Sequence, residues 1–408
     1  MSDFYQNGIV TTLHNLSNRP LAELESELTR FSRTRPMSLI LPSLFSELQG
    51  AALPNIVDHL CQVPYLDEIV IGLDRASEDE FRHALRFFSR LPQRFRVLWN
   101  DGPRLQAIDR ILKEQDLAPR ELGKGRNVWY CMGYVMCSNI GRAIALHDCD
   151  ILTYDRAMLA RLMYPVANPA FNYEFCKGYY ARVAEGRING RVSRLLVTPL
   201  IRTLKKVIGP MDYLDYLDSF RYPLAGEFAM RRGVLSDIRI PSDWGLEIGV
   251  LSEMKRNYAT NRICQVDIAE SYDHKHQDIS IGDDTQGLSR MSIDICKALF
   301  RKLATIGVVF NQETFRTIKA SYFRIALDFV ETYRNDALIN GLNLDIHEEE
   351  SAVELFAENI IKAGNHFLDR PMETPFIPTW NRVISAIPDI LEQMHAAVEA
   401  DQTEFSPR

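Results

Sequence analysis

The sequence predicts an α/β fold, a mostly parallel sheet flanked by helices, with a helical extension at the C-terminus. Three observations predict it. Between residues 37 and 150, apolar runs of strand length alternate with amphipathic stretches of helical length, the pattern of βαβ units. Polar residues able to do chemistry stand at the carboxyl ends of those runs, where parallel sheets hold their ligands. From about residue 285 onward, apolar residues recur at helical spacing, which marks a helical region.

Leu21, Leu24, Leu28 and Phe31 set a short helix over 20–31. "MSLILPSL" (37–44) reads as a buried strand closed by Pro42, because proline cannot donate to a sheet ladder. "PNIVDHLCQV" opens on Pro54 and keeps its apolar residues on one face, so a helix starts there. "LDEIVIGLD" (66–74) is a second strand, "SEDEFRHALRFFSRL" a second helix, and "FRVLWND" (95–101) a third strand. The section after it reads as irregular. A helix over 125–139 and a fourth strand, "RAIALHDCD" (142–150), follow. Beyond residue 285, "LSRMSIDICKALFRKL", "TFRTIKASYFRIALDFVETY", "SAVELFAENIIKAGNHFL" and "NRVISAIPDILEQMHAAVEA" each predict one amphipathic helix. The terminal "DQTEFSPR" reads as frayed.

The 408 residues are 46% hydrophobic and 25% charged, a globular balance. They have room for two or three domains, or for one large α/β domain with a helical addition. The net charge of −7 argues against an unspecific nucleic-acid binder, whose surface is basic. Cys61, Cys131, Cys137, Cys149, Cys176, Cys264 and Cys296 are odd in number and form no CxxC pair. They read as reduced thiols of a cytoplasmic protein rather than a disulfide framework. The N-terminal "MSDFYQNGIVTTLHNLSNRP" lacks the basic stretch and apolar core of a secretory signal. No apolar run approaches the roughly 18 residues that span a bilayer. A cytoplasmic location with no membrane partner is expected.

"ALHDCDILTYD" (145–155) carries the first chemical signal. Side chains two apart in an extended chain point the same way, so Asp148 and Asp150 would aim two carboxylates together and repel unless a cation lies between them. Carboxylates suit Mg²⁺ or Mn²⁺, which draw further ligands from phosphates and water. Alone, the pair also reads as a turn-capping aspartate beside a solvated neighbour. "ESYDHKHQ" (270–277) offers His274 and His276; either imidazole suits Mn²⁺, and an exposed polar loop fits the same residues. "LGKGRN" sets Lys124 between two glycines ahead of a helix, which favours an anion and equally fits a flexible turn. Glu227 in "PLAGEFAMRR" and Glu247 in "DWGLEIGVL" sit among small and apolar residues. An unpaired acid is costly there, so each is functional or ion-paired.

Taken in order, "LPSLFSE", "GKGRN", "HDCDI", "NGRVSRLLVTPL", "PLAGEFAMRR", "DWGLEIG" and "QVDIAESYDHKH" resemble the retaining glycosyltransferases that include glucosyl-3-phosphoglycerate synthase and mannosyl-3-phosphoglycerate synthase. The resemblance covers roughly residues 37 to 280 and implies a GT-A-like fold. Its division of the chain is an N-terminal helical segment (1–36), a nucleotide-sugar-binding α/β domain (37–155), an acceptor-binding region (156–284) and a helical C-terminal region (285–408). The implied nucleotide-sugar site comprises Leu41, Pro42, Ser43, Leu44, Glu47, Asp74, Lys124, Asp148, Cys149 and Glu247. At Asp74 the family carries a serine-rich turn where this chain has "LDRAS". The implied metal ligands are Asp150, Asp148 and His274, with His276 as the alternative register. Catalytic roles fall to Asp150, Lys124 and Glu227, the last beside the transferred sugar. Gly190, Arg191 and Ser193 match the acceptor turn, Ser193 replacing the usual threonine.

The implied reaction moves glucose from UDP-glucose to D-3-phosphoglycerate with retention, using Mg²⁺ or Mn²⁺, and the expected assembly is a homodimer. Arg191 suits an acceptor with two anionic groups, because a guanidinium grips a carboxylate or phosphate with two bonds; a surface ion pair is its other reading. Mannosyl transfer from GDP-mannose is the alternative within the family. Sugar nucleotidyl transfer uses similar sheets, but no Gly-rich, basic triphosphate loop stands near Leu41. A third class is a non-catalytic protein whose helical tail mediates interaction.

Overall fold

Runs of Ile, Leu and Val that are buried on both faces pair side by side into an eight-stranded sheet, the expected fate of near-continuous apolar strands. The computed structural model describes residues 6, 8–274, 287–373 and 376–406. Along the chain come β1 (Thr11–Leu13), α1 (Leu21–Ser32), β2 (Met37–Leu44), α2 (Ala52–Leu60), β3 (Glu68–Asp74), α3 (Glu78–Phe88) and β4 (Arg94–Trp99). They are followed by α4 (Pro103–Glu114), α5 (Lys124–Ser138), β5 (Ala143–Leu146), α6 (Arg156–Ala167), β6 (Phe175–Tyr180) and the small strands β7 (Val183–Ala184) and β8 (Arg187–Ile188). Next are α7 (Thr198–Ile208), α8 (Asp212–Asp218), β9 (Phe228–Arg231), α9 (Arg232–Asp237), α10 (Leu246–Asn257) and β10 (Ile263–Ala269). The C-terminal helices are α11 (Gly287–Thr305), α12 (Gln312–Ile339), α13 (Ile346–Asp369), α14 (Trp380–Ala386) and α15 (Ile390–Phe405).

The strand order is β1-β10-β6-β9-β5-β2-β3-β4. β9 runs antiparallel to β5 and β6, and the other pairings are parallel. β2 lies between β3 and β5, so the chain leaves it in one direction and returns on its other side. Loops at that switch point splay apart and open a crevice. Side chains alternate across the sheet: Ile40 joins the cluster under α5, α7 and the C-terminal helices, while Leu39 and Leu41 join the cluster under α1, α2, α3 and α6.

Several expectations need correction. β2 runs on through Pro42 to Leu44, because β5 pairs only with Met37–Ile40 and the N–H that Pro42 lacks has no neighbour on that side. Pro54 is the third residue of α2, within the turn whose N–H groups have no partner in any helix. The supposedly irregular section holds α4, with Pro103 at its start and Leu105, Ile108 and Leu112 buried. β5 stops at Leu146, so Asp148 and Asp150 lie in the loop beyond the strand. β1 of the N-terminal segment pairs with β10. The last predicted helix is two, α14 and α15, separated around Pro388.

The tail predicted as frayed is docked. α15 lies against β4, the exposed edge of the sheet and otherwise open to further pairing. Phe405 meets Phe81 and Trp99 with ring centroids 5.8 and 5.9 Å apart. Glu399 accepts from Arg96 Nε and Tyr134 Oη, both at 2.8 Å, and from Arg94 at 3.0 Å. Burial raises the Glu399 carboxyl, but the bonds from Arg96 and Tyr134 and the two arginine charges outweigh it and bring it down to about 2.

Solvent screening limits this half-exposed network to about 1–2 kcal/mol. Glu399→Gln is expected to lose that stability at neutral pH in thermal melts. The gap to the parent protein should close as pH falls from the ordinary 4.5 toward 2, where the parent carboxylate protonates too. A gap independent of pH would mean that the charge contributes nothing.

Candidate active site

β2 carries Leu41, Pro42, Ser43 and Leu44 to the crevice, and Glu47 follows in the turn Phe45–Gln49. Ser43 Oγ donates to the Leu44 carbonyl at 3.0 Å. At the end of β3 the buried Asp74 accepts Asn100 Nδ2 at 2.6 Å. Burial raises its carboxyl to about 6, with Asn100 and then Arg126 opposing that rise. Arg126 lines an open cavity of about 530 Å³ together with Asp101, Arg120 and Leu122. Asn127 Nδ2 donates to the Gly72 carbonyl at 2.9 Å and ties α5 onto β3, which fixes where α5 begins.

Lys124 is the first residue of α5. Its Nζ lies 2.6 Å from Asp148 Oδ1 and 3.3 Å from Glu247 Oε1. Burial works against the ammonium, but the two carboxylates prevail and hold it protonated. Burial likewise pushes Asp148 up, and Lys124 overrides it and leaves the carboxyl below its usual range. Asp150 is different: burial, then the charge of Asp148, push it up to about 7. Its Oδ2 is 3.9 Å from His274 Nδ1. A backbone bridge between Ile151 and His274, and the Leu152 N–H donated to the Asp273 carbonyl at 2.9 Å, fix this approach. His276 lies outside the described residues.

Among the described residues no three His, Cys, Asp or Glu side chains close a ligand set. Asp150 and His274 instead fit a hard divalent ion, which takes its other oxygens from a diphosphate and water. A carboxyl pushed up by a like charge is where a cation is stabilising. Cys149 is buried in the apolar cluster and its thiol is raised by burial; its side chain offers no ligand.

Glu227 is fully buried and accepts Tyr180 Oη at 2.7 Å and Tyr272 Oη at 2.8 Å. The two tyrosine rings stack with centroids 3.7 Å apart. Burial and the Asp148 charge raise the Glu227 carboxyl, opposed by the two hydroxyls. Lys177, buried on β6, donates to the Ala225 carbonyl at 2.5 Å, and burial lowers its ammonium to about 8 against the pull of Glu247 and Glu227. Sequence reasoning missed Lys177, Tyr180 and Tyr272. A lysine inside the apolar run "FCKGYY" was the available signal; Tyr272 stood beside histidines that drew the attention.

The acceptor turn is built differently from its expected company. Ser193 is buried, and its Oγ has no hydrogen-bond partner among the described residues. Arg191 turns to α13, its Nε 2.7 Å from Glu349 Oε1 and its far end paired with Glu348. Arg194 holds the other oxygen of Glu349 at 2.8 Å. The structure thus joins Lys124, Asp148 and Glu247, brings Asp150 to His274, and engages Arg191 with the C-terminal helices.

The chain is 46% identical over 404 residues to glucosyl-3-phosphoglycerate synthase of Persephonella marina, covering 99% of this chain and 100% of that one. It belongs to the glucosyl-3-phosphoglycerate synthase family. The enzyme of the same name from Methanococcoides burtonii is 37% identical over 99% of both chains. No protein-family model matches. A crystal structure of glucosyl-3-phosphoglycerate synthase from Mycobacterium tuberculosis, in complex with Mn²⁺, UDP-glucose and phosphoglyceric acid, superposes with a TM-score of 0.53 at 21% identity, covering 72% of this chain and 88% of that one. That likeness shows the shared GT-A-type fold. Members of the family are glycosyltransferases, and so is this chain. The relatives named here are glucosyl enzymes, so the mannosyl alternative is not favoured.

A side chain at Gly226 would put Cβ 2.2 Å from Asp148 Oδ2 and 2.7 Å from its Cγ. Gly226→Ala must therefore shift the Asp148 carboxylate from the position in which it meets Lys124. Displacing a catalytic group by about 1 Å can cost roughly 100-fold. Steady-state transfer is expected to fall by about 10- to 100-fold, with the circular dichroism spectrum kept. Unchanged turnover would mean that the position of Asp148 is unimportant.

Proposed function

We propose that the protein transfers glucose from UDP-glucose to D-3-phosphoglycerate with retention of anomeric configuration, using Mg²⁺ or Mn²⁺. The observation that carries the reading is the convergence of Lys124, Asp148 and Glu247 with the Asp150–His274 pair beyond the ends of β2 and β5. When bound, the divalent ion supplies Lewis-acid stabilisation of the departing diphosphate; Asp150 and His274 would hold it, with Asp148 beside them. Lys124 adds a fixed positive charge for the same developing anion. Leu41, Pro42, Ser43, Leu44, Glu47 and Asp74 line the nucleotide side. Glu247 orients Lys124 and faces the sugar.

Glu227 stands for the acid beside the transferred sugar. Both of its carboxyl oxygens already accept tyrosine hydroxyls. That favours electrostatic support of the positive anomeric carbon over nucleophilic attack. Same-face attack by the acceptor hydroxyl, with its proton passing to the leaving phosphate, then accounts for retention. Gly190, Arg191 and Ser193 form the acceptor turn, where the buried Ser193 hydroxyl, without a hydrogen-bond partner among the described residues, is ready to bond an anion. A cytoplasmic homodimer is the proposed setting, supported by the seven free cysteines and by exposed Val309, Leu338 and Ile339 on the helical region.

Incubation with UDP-glucose or GDP-mannose and 3-phosphoglycerate tests the reading: UDP and a glucosylated product are expected, and pyrophosphate release from UTP and a sugar phosphate would overturn it. Asp150→Ala should lower transfer by roughly 10²–10³-fold, the scale of losing one transition-state charge stabiliser, with the fold intact. Near-normal turnover with Mg²⁺ or Mn²⁺ would remove Asp150 from the metal site.

Arg191→Ala should raise the KM for 3-phosphoglycerate by roughly 10- to 150-fold and leave UDP-glucose affinity alone, with lysine restoring only part. Because Arg194 still neutralises Glu349, the melting temperature should change little. An equal loss of nucleotide affinity would assign Arg191 elsewhere.

A further inference from the structure

Arg182 follows β6 by two residues and opens the β7–β8 hairpin. Its backbone carbonyl accepts the Asn189 N–H at 2.7 Å, so the chain returns directly beneath it. The next residue, Gly190, has φ +78°, and an added Cβ there would lie 3.2 Å from Arg182 Cγ and 3.4 Å from Tyr222 Oη. The stem of Arg182 thus rests on the acceptor turn. Its guanidinium reaches the other way, donating to Tyr222 Oη at 3.2 Å and standing 5.7 Å from the centroid of the Tyr272 ring. Tyr272 is the ring whose hydroxyl bonds Glu227. Arg182 therefore spans the gap between the turn and the acid pocket.

Its charge partners set it apart. Arg191, Arg194 and Arg231 each meet a carboxylate. Among the described residues no carboxylate pairs with Arg182, and its buried Nε has no hydrogen-bond partner. Burial works against its charge, and what opposes burial and leaves the guanidinium raised comes from Tyr222, Tyr180 and Tyr272, all weak acids rather than carboxylates. A largely desolvated guanidinium that meets phenols and rings but no carboxylate among the described residues lacks a full counter-charge, and an incoming anion would supply one.

We propose that Arg182 receives an anionic group of the acceptor, as a second cation beside Arg191. This rests on the acceptor reading above. An acceptor with two anionic groups flanking its reactive hydroxyl must set that hydroxyl near Glu227 while its charges reach back toward Gly190. Arg182 lies on that path and offers two-pronged bonding to carboxylate or phosphate.

The test compares the parent protein, Arg182→Met and Arg182→Lys in steady-state kinetics. Methionine keeps an apolar stem over Gly190, and lysine keeps the charge; melting temperatures report folding. The parent protein must first turn over 3-phosphoglycerate, and failure at that step rejects the acceptor reading itself. Given turnover, Arg182→Met should raise the KM for 3-phosphoglycerate by roughly 10- to 150-fold, with the KM for UDP-glucose within about twofold and partial rescue in Arg182→Lys. Competition by D-glycerate and by glycerol 3-phosphate identifies the gripped group: the analogue lacking it should inhibit parent and variant equally. An unchanged acceptor KM, a matching loss for UDP-glucose, or equal weakening of both analogues would overturn the proposal while leaving the acceptor reading in force.

Discussion

The half-buried ammonium of Lys124, held between Asp148 and Glu247, is the charge on which the arrangement of the site depends. Asp148, Asp150, Glu227 and Glu247 are acids drawn from three different segments of chain, the two aspartates sharing one loop. At an effective dielectric of about 20, two like charges about 4 Å apart repel by ~4 kcal/mol. Lys124 neutralises two of the acids directly, and Lys177 adds a second, buried cation from β6. What remains unbalanced is Asp150, the carboxyl raised by burial and then by the charge of Asp148. A divalent ion completes that balance in the proposed reaction, so the charge pattern of the protein alone already indicates where positive charge is missing.

The C-terminal helices take part in this architecture at two places. α15 closes the open edge of β4 through Glu399 and Phe405. α13 supplies Glu348 and Glu349 to Arg191. An arginine already shared by two carboxylates is held in one orientation, and in the proposed reaction it would divide its charge with the acceptor. Arg182, facing aromatic rings, carries no such prior engagement among the described residues.

In the proposed reaction, the hydrogen bonds on both oxygens of Glu227 favour a supporting charge over a nucleophile. Its two tyrosine donors sit on opposite oxygens and stack on one another, so neither oxygen can leave its partner without disturbing a packed pair of rings. The acid keeps its field and loses its freedom. That restraint suits a reaction in which the leaving diphosphate, rather than the protein, guides the acceptor.

Periodicity is a local property, and the sequence by itself determined what periodicity can carry: the alternation of strands and helices, the buried strands β2 and β3, and the helical character beyond residue 285. Local composition also marked Glu227 and Glu247 as acids that are functional or ion-paired. It could not find α4, whose buried Leu105, Ile108 and Leu112 are interspersed with charged residues, nor show that Pro388 divides the last helix. Resemblance supplied the order of the site motifs, but the sequence could not say which acid Lys124 would meet. Tertiary structure alone decided that, because Lys124, Asp148 and Glu247 are brought together by strand order, and strand order follows from long-range pairing. It also decided that Asp148 and Asp150 lie beyond β5 rather than on it, that the tail is docked, and that Arg191 meets α13. Each of these rests on contacts between residues far apart in the chain, and no local pattern encodes such a contact.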